Sequence, residues 1–418
     1  MAAISLPTPE LEQRTSLFPD AEVEARTVGW FTWLHRHPEP SYQERQTAAF
    51  VADRLRELGY GNVRERVGIG PDGAPLYGVK AVLGADRPGP ALALRADMDA
   101  LPIMEASGLE YASERPGMMH ACGHDAHTAM LLGAAAALRR LDAIDPLPGP
   151  VVFIFQPAEE LHPGGALGMV EAGVLDDPPV GAIFGLHQGG KDVGTFSIAD
   201  GARNAASDTF GIVVRGRGGH GAAPHKSVDP ILTAAHVIVA MQGIVSRQVS
   251  PRQAVVLTVA MISGGTKENV IPDAVTLRGT CRTLDPEIRD QMPNRIKAVA
   301  DGVCAAFGAT AEVEYKRGYD VLINEPNMAA LARAAAIDVA GETGLVPAEA
   351  GMGGEDFGRF LEKVPGCFVT IGAARADIPP EERAGAHSAR FALDPESLKY
   401  GVAWYVALAE RYFASRQM

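Results

Sequence analysis

Val151-Val152-Phe153-Ile154-Phe155-Gln156-Pro157-Ala158-Glu159-Glu160 is an unbroken apolar run that ends at a proline and is followed at once by two acids. A short run of branched and aromatic residues without polar alternation predicts a strand covered on both faces, as in the centre of a layered α/β sheet. In an open α/β sheet, ligands bind beyond the carboxyl ends of the strands. The pair Glu159-Glu160 therefore stands where a site is expected. Most Glu-Glu pairs are solvated turns, and it is the position after a buried strand that sets this one apart.

The flanking sequence supplies the rest of such a domain. Apolar runs at 76–83, 91–95, 182–186 and 368–371 predict further central strands, and helical patterns at 128–141, 328–340 and 395–413 supply the cover. Val23, Val28, Phe31 and Leu34 predict an inward helix face over 21–36, stopped by Pro38 and Pro40. Ser41 and Glu44 form a capping-box pattern for a helix running to Gly59. Between 201 and 315 the order becomes strand (209–214), helix (230–246), strand (254–263), strand (274–283), helix (286–307), strand (311–315), which is that of a ferredoxin-like α+β sandwich. The expected fold is thus a layered α/β catalytic domain built from 1–200 and 316–418. Residues 201–315 form an inserted second domain, with boundaries near Asp200 to Asp208 and near Gly318.

Composition narrows the function. A chain of 418 residues suggests two domains, and its net charge of −13, with basic residues in no more than isolated pairs such as Arg139-Arg140, argues against nucleic acid or an anionic membrane as partner. Cys122, Cys281, Cys304 and Cys367 show no regular spacing, which predicts reduced thiols and a cytoplasmic location. Residues 1–20 carry Pro7, Pro9, Glu10, Glu12 and Asp20 where a leader would need a basic start and an apolar run. No window approaches roughly 20 unbroken apolar residues, so no transmembrane segment is expected.

Met118-Met119-His120-Ala121-Cys122-Gly123-His124-Asp125-Ala126-His127 concentrates donors suited to zinc-like cations. Cys122 and His124 would point about 200° apart on a helix, so they can share an ion only from extended or turn backbone, and Gly123 permits such a turn; the helical pattern starts near Ala126. A buried thiol beside an exposed imidazole is the ordinary reading of either residue alone. Glu159-Glu160, His187 closing the strand 182–186, Asp97 and Asp99 closing 91–95, and the isolated His387 reverse it. His127 could add a ligand, although packing at a helix start suits it better. His35 and His37 meet the dipole at a helix end, a structural role. Trp30, Trp33 and Trp404 read as core or interface residues.

These blocks, together with Arg95 to Pro102, Gly185-Leu186-His187, Gly219 to His225, Asn269-Val270-Ile271-Pro272, Gly354-Glu355-Asp356-Phe357 and Ala386-His387-Ser388, resemble the M20 metallopeptidases in order and spacing over nearly the whole chain. Within them the resemblance is to the amidohydrolase branch of hippurate hydrolases, aminoacylases and auxin-conjugate hydrolases. It implies a binuclear centre of two divalent ions, zinc or manganese with cobalt or nickel as alternatives, ligated by Cys122, His124, Glu160, His187 and His387. Such ions lower the pKa of a water and polarise the scissile amide carbonyl. Glu159 would be the general base, and Asp99 would orient a ligand. The inserted domain would act as lid and dimerisation module of a homodimer, its His220 reaching the partner's site to meet the developing oxyanion. Asn269 and Arg282 would position the substrate, with Arg282 suited to its carboxylate, although Arg278 lies close by.

The implied substrate is a small N-acyl or N-aroyl amino acid, with a dipeptidase or other peptidase as the second reading. His162 in Leu161-His162-Pro163-Gly164-Gly165 and the stretch Gln188-Gly189-Gly190 depart from the family pattern and leave the substrate open. Two other classes remain chemically open: a cysteine hydrolase with Cys122 as nucleophile and His124 or His127 as base, and a non-catalytic metal-binding or assembly module on the same fold. The uncoordinated carboxylate of Glu159 argues against the latter.

Overall fold

The computed structural model describes residues 17–416; the leader-free stretch expected before Leu17 lies outside the described residues. An eight-stranded sheet runs in the order Arg64–Ile69, Pro75–Leu83, Val151–Gln156, Ala91–Asp97, Val180–Asp192, Gly366–Ala374, Phe196–Ser197, Leu345–Val346. Ala91–Asp97 is parallel to both neighbours, and Val180–Asp192 is parallel to Gly366–Ala374. The three longest parallel pairings thus bring carboxyl ends to one edge, with Asp97 opposite Gln156 and His187 opposite Thr370.

Alternation inside the apolar runs explains why they lack polar residues. Val151, Phe153 and Phe155 face one core with helices Ala21–Arg36, His124–Asp142, Pro326–Ala340 and Ser397–Ala414, whereas Val152 and Ile154 face a second core with Gly165–Glu171. Each such large side chain contributes about 1.5–3 kcal/mol by leaving water.

Residues 206–319 build a second sheet, in the antiparallel order Val255–Ser263, Ala274–Thr283, Ala206–Arg215, Thr310–Tyr319. Helices Pro230–Gly243 and Pro286–Ala306 close its core around Phe210, Ile212, Val214 and Leu277. The chain crossings into and out of this sheet pair with each other as Gly201–Asn204 against Leu322–Asn324. One helical stretch among the described residues, Pro230–Gln248, is long and apolar enough to cross a membrane by length and composition; its Thr233, Ala234, Val237 and Met241 pack into this core instead.

Several local expectations are corrected. The second helix begins at Arg45 without a side-chain cap. Ser41 Oγ donates to Asp99 Oδ2 at 2.6 Å, and Glu44 Oε1 accepts from the Ala158 N–H at 2.7 Å, so long-range partners outbid the capping box. Val28, expected inward, is exposed. The helix after Gly123 begins at His124 rather than near Ala126. His187 does not close its strand, which continues to Asp192.

His35 is buried between two acids, its Nδ1 2.6 Å from Asp125 Oδ2 and its Nε2 3.2 Å from Glu105 Oε1. Burial alone would lower its pKa, but the hydrogen bonds its ring donates to Asp125 and Glu105 raise it to about 9. A folded pKa above the unfolded value contributes stability that is complete below the unfolded pKa and is lost as pH rises through the folded one. Urea unfolding of His35→Gln is therefore expected to show a deficit of about 3 kcal/mol near pH 6 that vanishes near pH 10. A deficit independent of pH would show that His35 is neutral in the fold.

Candidate metal centre

The expected ligands meet at the carboxyl edge of the large sheet. Gly123, with φ of 86°, turns the chain between Cys122 and His124, and a Cβ there would come within 2.6 Å of Gln188 Cγ. Cys122 Sγ lies 3.4 Å from His187 Nε2. His387 Nε2 lies 3.2 Å from Glu160 Oε1, and His124 Nε2 lies 3.9 Å from the same oxygen. Donor atoms of Cys122, His124 and His187 fall within 4.8 Å of one another, and so do those of Cys122, Glu160 and His387. These two triads have one thiol in common, and His124, Glu159 and Glu160 form another group within the same reach.

Hydrogen bonds fix which lone pairs face this space. His124 Nδ1 is spent on the Asp99 carbonyl at 3.0 Å and on Asp99 Oδ1 at 3.1 Å, leaving Nε2 as the free acceptor. His187 Nδ1 donates to the Gln188 carbonyl at 2.7 Å, which likewise turns a bare Nε2 toward Cys122. His124 Nε2 and Glu160 Oε1 are buried without a hydrogen-bond partner. Buried acceptors left unsatisfied beside a thiol and a second imidazole fit a cation.

Asp99 reaches no triad. Its Oδ2 accepts from Ser41 and from the Glu160 N–H at 2.9 Å, so it ties the His124 ring to the Glu160 backbone. Asp99→Ala is expected to weaken metal binding about 10- to 100-fold, measured by competition with a chelating dye. Unchanged affinity would mean that the ring needs no such tether.

Other candidates sort themselves by engagement. His127 Nδ1 lies 2.6 Å from Asp97 Oδ1 and its Nε2 accepts from the Gln188 N–H at 2.8 Å, so neither nitrogen is left for an ion. Gln188 also donates to the Cys122 carbonyl at 3.2 Å, giving that sequence departure a supporting task. Burial pushes the Cys122 thiol up to about 12, the behaviour of a thiol that needs a cation to ionise and not of an activated nucleophile. Burial, and then the charges of Glu355 and Glu160, hold Glu159 well above the usual carboxylate range. Its Oε2 stands 4.0 Å from His124 Nε2.

A cavity of about 750 Å³ opens over the centre and is lined by Cys122, Glu159, Glu160, His187, His387 and Arg282. His220 and Asn269 are not in its wall: they are exposed on a small ribbon where Val270 pairs with His220. His162 is part of the wall, its ring 5.4 Å from that of Tyr319. Sequence reasoning missed Arg203, Tyr319 and Met352 in the wall. Their local sequence carries no signal for a site.

Residues 93–411 match the family described as Peptidase family M20/M25/M40. The chain is 39% identical over 388 residues to thermostable carboxypeptidase 2 of Saccharolobus solfataricus, covering 91% of this chain and 93% of that one. It is 42% identical over 351 residues to N-acetyl-L-cysteine deacetylase of Bacillus subtilis, covering 84% and 81%. The crystal structure of the Bacillus subtilis YXEP protein, a dinuclear metal-binding peptidase, superposes with a TM-score of 0.81 at 34% identity, covering 95% of this chain and 99% of that one.

Proposed function

The chain belongs to peptidase family M20/M25/M40, and on that premise we propose that it is a metal-dependent amidohydrolase that cleaves N-acyl or N-aroyl amino acids into a carboxylate and a free amino acid. The observation that carries the reading is the pair of ligand triads sharing Cys122, with Glu159 beside them. Two divalent ions, zinc or manganese, held by Cys122, His124 and His187 and by Cys122, Glu160 and His387 would acidify a water and polarise the amide carbonyl.

The chain's own residues do the rest. Glu159 takes a proton from the attacking water and returns it to the nitrogen of the departing amine. Arg282, in the cavity wall, has the planar fork that receives the amino acid's α-carboxylate. His220 and Asn269, outside the cavity of their own chain, serve the site of a second subunit, where His220 donates to the developing oxyanion. In this reading residues 201–315 are the lid and dimerisation unit. Exposed Val239 on the helix and exposed Val256, Met261 and Ile262 on the edge strand Val255–Ser263 support a homodimer through this unit. Four free cysteines support a reducing, cytoplasmic location.

The test is a panel of N-acyl amino acids and dipeptides assayed on apo protein reloaded separately with zinc, manganese, cobalt or nickel. Hydrolysis of acyl amino acids is expected. Turnover of dipeptides alone would favour a peptidase, and silence across the panel with every metal would sink the reading.

A further inference from the structure

Arg203 is a cavity-wall cation that the proposed reaction leaves unused. It sits on the strand Gly201–Asn204, half-buried, and lines the cavity beside His187. Its guanidinium donates to Thr370 Oγ1, a residue paired with His187 across parallel strands, while its Nε is shut from solvent without a partner. Burying an unpaired cation is costly. The other buried arginines are paired, Arg95 with Asp97, Glu355 and Asp356, and Arg289 with Asp208 and Asp320. Glu355, whose charge partly offsets the burial of Arg203, is already held by Arg95 at 3.1 Å.

Among the described residues, no carboxylate forms an ion pair with Arg203 or with Arg282. Lys316 and Arg317, on the same wall, are answered by Glu314 at 3.2 Å and Asp290 at 2.6 Å. Two unanswered guanidinium groups therefore face one space, and a simple N-acyl amino acid brings a single carboxylate.

We propose that Arg203 is a specificity-determining residue that binds a second carboxylate of the substrate, carried on the acyl group or on the amino-acid side chain. The inference rests on the amidohydrolase reading and narrows it to dianionic N-acyl amino acids. The planar fork of a guanidinium that carries no ion pair is suited to bidentate capture of a carboxylate.

The test measures kcat/KM of the metal-loaded enzyme for N-acetyl-leucine, N-succinyl-leucine and N-acetyl-glutamate, in wild type, Arg203→Met and Arg203→Lys. Calorimetric titration with succinate and with butyrate, which has the same length and one carboxylate fewer, reads binding without turnover. Wild type is expected to prefer one dicarboxylic substrate over N-acetyl-leucine by about 10- to 100-fold, and the preferred one shows which half of the substrate Arg203 meets. That ratio, and the advantage of succinate over butyrate, should collapse in Arg203→Met and survive in part in Arg203→Lys, which carries the test if the methionine variant does not fold. Equal efficiencies with equal binding in wild type, or a preference that persists in Arg203→Met, overturns the proposal. No turnover of any substrate overturns the amidohydrolase reading instead, and the succinate and butyrate titrations then decide the role of Arg203 alone.

Discussion

Glu159→Gln is expected to lower kcat by about 10²- to 10⁴-fold while the protein keeps its full complement of metal. The substitution preserves shape and removes the basic oxygen. The two triads that share Cys122 do not include Glu159, so its loss should leave metal content per chain unchanged by elemental analysis. If kcat stays within about tenfold of wild type, another group moves the proton. Metal lost together with activity would point to the alternative grouping of His124, Glu159 and Glu160, in which Glu159 is itself a ligand. A second readout separates the two outcomes. Burial and the charges of Glu355, Glu160 and Asp356 all disfavour an ionised Glu159, so the neutral amide should raise the unfolding temperature of the metal-free protein. Activity sacrificed for stability at one position is the behaviour of a functional group held in an unfavourable setting.

The large sheet was legible because its central strands are buried on both faces. Val151 to Phe155 needs no polar residue when odd positions face one core and even positions the other. The edge strand Arg64–Ile69 escaped because its burial pattern is mostly exposed, and its Arg-Glu-Arg start lacks any apolar period. The capping box failed for a different reason: the Ser41 hydroxyl and the Glu44 carboxylate are claimed by Asp99 and Ala158, distant in sequence and invisible to a local pattern. At the site, donor chemistry could be read residue by residue because Cys, His and Glu announce themselves and Gly123 marks the turn. The engagement of those donors could not. That His127 is spent on Asp97 and Gln188 while His124 keeps a free nitrogen follows from one strand's end, the middle of its neighbour and a helix start meeting in space. Arg203 was hidden for the same reason, since what distinguishes it is a partner it lacks.

His220→Ala is expected to cost about 10²- to 10³-fold in kcat, the usual consequence of removing one oxyanion donor, although His220 lies outside the cavity of its own chain. Its Nδ1 accepts from the Ala222 N–H at 3.0 Å, so the ring is held in a set orientation with Nε2–H presented outward. The sharper form of the experiment mixes two inactive proteins. In a hybrid of Glu159→Gln and His220→Ala subunits, the site on the His220→Ala chain has an intact Glu159 and receives His220 from its partner, while the other site lacks both groups. Random exchange makes half of the dimers hybrids with one whole site each, so activity should recover to about a quarter of wild type. Recovery requires both a dimer and an imidazole acting across it. If subunits exchange, as followed by differently sized tags, and activity does not return, His220 serves its own chain and residues 201–315 must move to carry it there. If no exchange partner forms and the protein sediments as a monomer, the exposed apolar residues Val239, Met261 and Ile262 belong to some other contact. Activity restored on mixing would tie this surface, the ribbon that carries His220, and the binuclear pocket into a single catalytic unit.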